Sequence, residues 1–473
     1  MKSNKYIKSI AIIIAILLCT NTVYADNYLK NTELEILKIV PLGATRIKSE
    51  EVGELNLKKE LSFKDYEIDL RNFIFYFNDK TTVTQLDKKA LEYERDILLK
   101  NKNMRSVSDL NLDIARIIAK TKNGHSFSVN RFGESYLPIM IEKIGNGFYI
   151  TDATNEYKEL LYKKIDKIND VDIEKVHEKI IPYCSGENEY IKKFTSKFYY
   201  FFYSDIYIKE AIINGDKFEL TYIEDGNTLN KIIKLHNLPN PKIIKNYYNN
   251  YDGFTLNYSE NYNPRNNFIN YSNEKQNKDK NFYFYKKDNS LIIKYNQCID
   301  DEKFKIDDMN RNIDKFLDNN KINNIILDLR DNTGGYFNHV FKMAIQLMKI
   351  QDKSPDSKIK ILIGNKTYSA CTFLLNLSTK YLDNVELVGG NTGVSPFFTS
   401  TSGGKIYLGK SGLIVQLSEG YVKMPYDAQI TKNSINLNMK EDTWVSDMFI
   451  ENQIQDYAIG NDKIMNYALR DER

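Results

Sequence analysis

Cysteine and histidine are scarce in this 473-residue chain, which contains four of each. Cys19 lies in an apolar run near the N-terminus, and the other three cysteines are Cys184, Cys298 and Cys371. An odd and sparse count does not make a disulfide framework, and at most one pair is expected. The four histidines are widely scattered and form no closely spaced Cys/His cluster, which argues against a structural zinc site.

The chain also lacks a strong charge of either sign. Its 66 basic and 63 acidic residues leave a net charge of +3, too small to indicate nucleic acid or an anionic membrane as a partner. The sequence contains no cofactor motif, and no cofactor is expected. A hydrophobic content of 42% is ordinary for a globular protein, and the length allows two to four domains.

Long apolar runs are limited to IAIIIAILLC near the N-terminus, which follows three lysines and precedes NTVYA. This layout is typical of a secretory signal with cleavage after Ala25. Ten apolar residues are short of the ~20 that span a bilayer, although an uncleaved anchor is the alternative. Cys19 follows two leucines, so lipid attachment is not predicted. We therefore expect a secreted or cell-surface protein, with no membrane binding beyond this segment.

Composition and periodicity divide the rest of the chain. Ser106 or Ser108 is a candidate N-cap for the apolar-faced helix in SVSDLNLDIARIIAK, and KDYEIDLRNFIFYF indicates another helix, with a strand as the alternative. The predicted segments are a signal peptide (1–25), a helical region (26–130), a small β-rich domain (131–240), an Asn/Tyr-rich loop or linker (241–281) and an α/β core (282–473).

The predicted core alternates strands with helices. The strands are SLIIKYN, INNIILDLR, KIKILIG and NVELVGG, and the helices are DDMNRNIDKFLDNN, HVFKMAIQLMKI and TYSACTFLLNLSTKYL. This order predicts right-handed crossovers and a mainly parallel sheet, in which ligands bind beyond the carboxyl ends of the strands. The stretches DNTGG and NKTYSA both lie at such ends.

Both stretches carry groups suited to acyl chemistry. Ser369 either caps the following helix or acts as a nucleophile, because the first turn of a helix offers unpaired N–H groups to a developing negative charge. Gly334 and Gly335 let the backbone approach a ligand and present N–H groups to an oxyanion. A plain glycine turn is the alternative. Phosphate binding is disfavoured, since the Gly-Lys-Ser/Thr ending of a nucleotide loop is missing.

These motifs resemble those of the C-terminal processing peptidase and tricorn core group of serine peptidases. DLRDNTGG is followed after one strand by TYSA, then by ELVGGNTG and by the closing segment that begins EDTWVSD. Upstream, IARIIAKTKNGHSF resembles the helix and turn of the non-processing, tricorn-like branch. The resemblance extends from about Leu61 to the C-terminus. It implies a ClpP/crotonase-like core, a PDZ-like domain around KKIDKINDVDIEKV, and a peptide or protein substrate.

Carried over, the resemblance makes Ser369 the nucleophile and gives the oxyanion hole to the backbone amides of Gly334, Gly335 and Ala370. Cys371 is the competing nucleophile, because a thiol is intrinsically reactive. A helix turns ~100° per residue, so positions 369 and 371 point in different directions, and only Ser369 fits the family turn.

The base is assigned by the same resemblance. The processing branch uses a lysine in its Gly-x-x-Thr-x-Gly-Lys turn, where this chain has Val394. The tricorn-like branch uses a histidine, and His125 in NGHSF occupies that position. Its ordinary pKa of ~6.5 suits a base at neutral pH. The alternative for His125 is a helix-end histidine without catalytic role, and His339, four residues after Gly335, is the second choice of base.

An acidic group should orient the base. The tricorn-like pattern has a glutamate near its closing step, where the segment NMKEDTWVSD offers Glu441, next to Asp442, with Ser446 where the family has proline. An ordinary surface acid is the alternative for both. Thr372 and Gly124 also depart from the family pattern, which has glutamate and serine there. Substitutions such as Val394 and Thr372 leave a second hypothesis: a peptidase scaffold without activity that binds peptides or hydrophobic ligands. The sequence does not predict the oligomeric state.

Overall fold

The computed structural model of the protein describes residues 46–80, 88–128, 134–201, 203–239, 242–248, 251–257, 267–270, 280–394, 398–401, 404–418, 420–423 and 443–470. The predicted signal peptide and Glu441 lie outside these residues. Within them, none of the helices is both long and apolar enough to cross a bilayer.

The N-terminal region is built from helices that share one apolar core. Its elements are β1 (Arg46–Glu54), β2 (Glu60–Leu61), α1 (Phe63–Lys80), α2 (Lys88–Lys100), β3 (Arg105–Ser106), α3 (Val107–Lys120) and β4 (Phe127–Ser128). Both predicted helices, α1 and α3, are confirmed. Ser106 is the N-cap of α3, since its side chain accepts a hydrogen bond from the Asp109 N–H while the Asp109 side chain accepts one from the Ser106 N–H.

The middle region contains an antiparallel sheet in the order β11-β10-β8-β7-β6, with its own apolar core. Its elements are β5 (Ser135–Tyr136), β6 (Ile139–Ile144), β7 (Gly147–Ala153), β8 (Lys164–Ile168), β9 (Val171–Asp172), α4 (Ile173–Ile180), α5 (Glu189–Phe201), α6 (Ser204–Lys209), β10 (Lys217–Glu224), β11 (Asn227–Lys234) and β12 (His236–Asn237), with 3₁₀ helices at Asn155–Leu160 and Ile181–Tyr183. The expected short strands are therefore present. The comparison with PDZ domains stays a prediction.

The loop predicted for 241–281 is wrong over part of its length. Strands β13 (Lys242–Tyr248) and β14 (Tyr251–Asn257) form an antiparallel hairpin, and β1 pairs with β13 on its other side. Tyrosine and isoleucine favour strands despite the many asparagines around them. The pairing partner β1 is distant in sequence, so the local composition did not reveal it.

The α/β core contains the predicted parallel sheet. Its elements are β15 (Phe282–Lys287), β16 (Ser290–Tyr295), α7 (Ile306–Asp318), β17 (Asn324–Asp328), α8 (Phe337–Lys353), β18 (Lys358–Ile363), α9 (Ala370–Tyr381), β19 (Val385–Gly389), β20 (Phe398–Thr401), β21 (Lys405–Tyr407), β22 (Ile414–Gln416), β23 (Gly420–Lys423), β24 (Met448–Phe449), α10 (Ile454–Ile459) and α11 (Lys463–Ala468). Strands β16 to β19 and β24 are parallel, and β15 is an antiparallel edge.

Both faces of this sheet are buried, which explains the nearly continuous apolar runs of its strands. In β17, Ile325 and Leu327 face the core that α7, α8 and α9 complete, whereas Ile326 faces the smaller cluster with α11. The three regions also contact one another. Strand β22 pairs with β4, and residues of β22 share the apolar core of the N-terminal helices. This pairing brings the segment after α3 to the α/β core.

Candidate active site

Ser369 lies where the chain turns from β18 into α9. Thr367 fixes this turn, because its hydroxyl accepts a hydrogen bond from the Gly364 N–H (3.0 Å) and donates one to the Leu329 carbonyl (2.9 Å) at the end of β17. Ser369 has a positive φ of 56°, uncommon for a residue other than glycine and costing on the order of 1–3 kcal/mol. It is the N-cap residue of α9, yet its side chain makes no capping hydrogen bond.

The Ser369 hydroxyl instead contacts His125, 244 residues earlier in the chain. The serine Oγ lies 2.9 Å from His125 Nε2. His125 is held in the loop after α3, where the Asn123 side-chain oxygen accepts the backbone N–H of His125 at 2.9 Å. The Gln416 side chain, at the end of β22, donates to the His125 carbonyl at 3.3 Å. The two sequence-predicted residues are therefore adjacent.

The other ring nitrogen of His125 faces two residues that the sequence analysis did not select. The Tyr368 hydroxyl lies 3.0 Å from His125 Nδ1, and it donates to the Glu187 carboxylate, whose oxygens are 2.7 and 2.8 Å away. The rings of His125 and Tyr368 stack with centroids 4.8 Å apart. Glu187 comes from the middle region, just before α5, so three regions of the chain meet at this point.

The imidazole is almost fully buried, and burial lowers the pKa of His125 to about 4. Removing the ring from water disfavours its charged form, which leaves it neutral at pH 7 and able to accept a proton. The Glu187 carboxylate, 4.0 Å from Nδ1, acts in the opposite direction, because a nearby negative charge favours the imidazolium ion.

The glycine loop after β17 packs directly against the serine. A side-chain carbon at Gly334 would lie only 2.7 Å from Ser369 Cβ and 3.0 Å from the Ala370 nitrogen, so glycine is required at this position. The backbone N–H of Gly334, expected in the oxyanion hole, donates to the Asn332 side chain at 2.8 Å. That donor is already engaged. Two backbone hydrogen bonds connect this loop to Cys298: the Cys298 N–H donates to the Gly334 carbonyl, and the Tyr336 N–H donates to the Cys298 carbonyl. Neither of them uses the Gly335 N–H.

The competing residues have other surroundings. Cys371 is fully buried in the apolar core, which raises the pKa of its thiol well above the ordinary value and disfavours the reactive thiolate. His339 is also buried, with its Nε2 3.6 Å from Asp300 and its ring near Phe282. The structure brings neither of them to the Ser369 hydroxyl.

Val394, which the family resemblance placed at the position of the lysine of the processing branch, is completely buried in a small cluster with Ile191 and Tyr368. Glu441 lies outside the described residues, so its predicted role stays a prediction. Tyr368 could have been selected, since it directly precedes the predicted nucleophile. Glu187 had no local motif to identify it. Among the described residues, no group of three or more His, Cys, Asp and Glu side chains has an arrangement that could hold a metal ion.

Comparison with known proteins finds similarity in fold. The structure of mature CPAF complexed with lactacystin matches with a TM-score of 0.56 at 10% sequence identity, covering 86% of this chain and 97% of that chain. A CPAF mutant matches with a TM-score of 0.55 at 10% identity, covering 87% and 99%. The chain is similar in fold to CPAF. No protein-family model matches the sequence, and neither does any curated protein.

The photosystem II D1 C-terminal processing protease also matches, at 10% identity over 82% of this chain and 93% of that chain, with a lower TM-score of 0.37. The finer placement in the tricorn-like branch and the ClpP/crotonase-like assignment of the core stay predictions.

Proposed function

We propose that this chain is an exported serine peptidase that hydrolyses peptide bonds in peptides or unfolded protein segments. The observation that carries this proposal is the 2.9 Å contact between Ser369 Oγ and His125 Nε2. A nucleophilic serine needs a neighbouring base to accept its proton, and the neutral imidazole is that base. The strained backbone at Ser369 supports the same role, since strain of this kind is concentrated at functional sites.

In the proposed reaction, Ser369 Oγ attacks the carbonyl carbon of the substrate while its proton moves to His125 Nε2. The carbonyl oxygen becomes negatively charged and is stabilised by the Gly335 amide of the glycine loop and by the Ala370 amide at the N-terminus of α9. His125 then gives its proton to the leaving amine, which departs as the C–N bond breaks. A water molecule, deprotonated by the same imidazole, hydrolyses the acyl-enzyme and regenerates Ser369.

This assignment differs from the sequence prediction in one donor. The Gly334 N–H is engaged with Asn332, so the proposal gives it a structural role, in which it fixes the loop that carries Gly335. The Asn332 side-chain amide in turn donates to the Tyr295 carbonyl at 2.9 Å, and the Asn332 backbone carbonyl accepts the Tyr368 N–H at 3.1 Å. The Asn332 contacts thus connect the glycine loop to the turn that carries the nucleophile.

A fluorophosphonate probe tests the proposal without knowledge of the natural substrate. We expect the probe to label the wild-type chain at Ser369, and Ser369→Ala and His125→Ala to lose labelling and peptide hydrolysis. The loss of turnover for Ser369→Ala should be on the order of 10⁶-fold. Cys371→Ala serves as the control and should stay active, because that thiol is buried away from the site.

Two results would contradict the proposal. If Cys371→Ala is inactive while Ser369→Ala retains activity, the assignment of the nucleophile is wrong. If the folded wild-type chain is not labelled, the alternative of an inactive scaffold that binds peptides or hydrophobic ligands is favoured.

A further inference from the structure

We propose that Tyr368 and Glu187 form a positioning pair that holds His125 in the orientation and tautomer needed for catalysis. This inference rests on the proposed function and concerns the same site. It assigns the acidic group behind the base to the middle region, whereas the sequence resemblance assigned it to Glu441 in the closing segment.

The direction of each hydrogen bond follows from the groups themselves. A carboxylate only accepts, so the single hydroxyl proton of Tyr368 is donated to Glu187. The hydroxyl oxygen then has only lone pairs left for His125 Nδ1, which must carry the ring proton. The neutral ring has one proton, so Nε2 is bare and faces the Ser369 hydroxyl. The pair thus selects the tautomer that can act as a base.

The local sequence makes room for this pair. A side-chain carbon at Gly124 would lie 2.8 Å from a Glu187 oxygen and closer still to the Tyr368 hydroxyl oxygen. Gly124 does not have a positive φ, so space rather than backbone conformation accounts for glycine at this position. Residue 124 directly precedes the proposed base, and any larger residue there would displace the two groups behind the ring.

The charge at Glu187 is well placed to act on the ring. Both the Glu187 and His125 side chains are less than one-tenth exposed, and Coulomb interactions are stronger away from water. When His125 takes the serine proton, its positive charge forms 4.0 Å from this carboxylate. The pair therefore stabilises the imidazolium ion of the transition state more than the neutral ring of the resting state, which is the condition for accelerating the reaction.

Glu187 is also fixed in place from the core. The neighbouring Asn188 side chain donates to the Thr392 carbonyl at 3.1 Å and accepts the Ile191 N–H at 3.1 Å, which caps α5. Thr392 belongs to the turn after β19. The loop of the middle region is thus attached to the core beside the active site.

The test uses the full chain with three substitutions: Tyr368→Phe, Glu187→Gln and Glu441→Gln. Labelling of Ser369 by the fluorophosphonate is measured as a second-order rate constant against pH. We expect the first two variants to label about 10–10³-fold more slowly. Loss of the acid in a catalytic triad slows the reaction by ~10⁴-fold, and the effect expected here is smaller because Glu187 acts on the ring through a hydroxyl. The double variant should be little slower than the slower single variant, since the two groups act as one unit. Glu441→Gln tests the acid that the resemblance implied, and we expect a smaller loss there than in either member of the pair.

A second readout separates positioning from simple structural support. Glu187→Gln removes the charge that favours the imidazolium, so the acid limb of the labelling profile should move to lower pH by about one unit. Melting temperatures near that of the wild type would exclude unfolding as the cause. Wild-type rates and an unmoved acid limb in both Tyr368→Phe and Glu187→Gln would overturn the inference, as would a large loss in Glu441→Gln alone. The proposed function would survive either result.

The pair is also testable if the wild-type chain proves inactive. In ¹⁵N-histidine-labelled protein, the signals absent from His125→Gln identify this ring. We expect a proton on Nδ1 and none on Nε2 in the wild type, and a mixture of tautomers in Tyr368→Phe. A proton on Nε2 in the wild type would overturn the inference independently of any activity.

Discussion

Replacing Gly334 with alanine should disable the site by displacing the nucleophile. The added Cβ would lie 2.7 Å from Ser369 Cβ, whereas carbon atoms in contact are normally about 3.5–4.0 Å apart. The two groups must therefore separate by about 1 Å. Neither Ser369 Cβ nor the Ala370 nitrogen is a flexible side-chain end, so the backbone of the nucleophile turn has to move.

A misplacement of about 1 Å at the reacting atoms costs on the order of 10²-fold in rate. We expect Gly334→Ala to lower kcat by about this factor, which corresponds to about 2.7 kcal/mol of transition-state stabilisation. The assay is the labelling rate of Ser369, together with kcat for a peptide substrate once one is found. A stability loss is also expected, because alanine at the φ of 103° is strained by on the order of 1–3 kcal/mol.

Gly215 provides the matched control for strain. It has a similar φ of 92°, but a Cβ there meets no heavy atom within 4 Å. Gly215→Ala should therefore lose comparable stability and keep full activity. Wild-type labelling in Gly334→Ala, or an equal loss of activity in Gly215→Ala, would refute the argument that the glycine is needed for its approach to Ser369.

Three further predictions follow from the same site. Activity should fall as the pH decreases, because the base must be neutral. The pH at which kcat/KM falls to half of its maximum should lie below the ordinary histidine pKa of ~6.5, because burial lowers the pKa of His125 to about 4. A midpoint above pH 7 would contradict this. Val394→Lys should lower the melting temperature and fail to restore activity to His125→Ala, because the ammonium would be buried beside Ile191 and Tyr368. If the chain is exported as proposed, N-terminal sequencing of the mature protein should start at Asp26, and a start at Met1 would exclude cleavage.

The parts of the site that local patterns predicted all lie at the ends of parallel strands. The strands β17 and β18 are recognisable because both faces of the sheet are buried, which makes their sequences almost continuously apolar. Parallel neighbours bring their carboxyl ends to one edge, so Gly334 and Ser369 had to be close. Periodicity and sheet topology predicted that these two residues lie near each other, whereas their roles were assigned from the family resemblance.

The other half depends on contacts that no local pattern contains. The family resemblance identified His125, but its approach to Ser369 needs the pairing of β4 with β22, two short strands that are distant in sequence. The β13–β14 hairpin escaped prediction for the same reason, since its partner β1 is far away in sequence. Glu187 lies in the loop between the 3₁₀ helix Ile181–Tyr183 and α5, and its contact with Tyr368 distinguishes it from a surface acid.

In the proposed reaction, the burial of His125 accounts for the groups that three regions bring to the site. A base buried deeply enough for its pKa to fall to about 4 accepts a proton only weakly unless something compensates the charge it acquires. A carboxylate in direct contact would raise the pKa strongly, whereas Glu187 acts from 4.0 Å with the Tyr368 hydroxyl between them. In the proposed reaction, such an arrangement keeps the resting imidazole neutral and still stabilises the ion formed in the transition state. Because the carboxylate comes from the middle region, movement of that region away from Thr392 would weaken the base without altering Ser369 or His125.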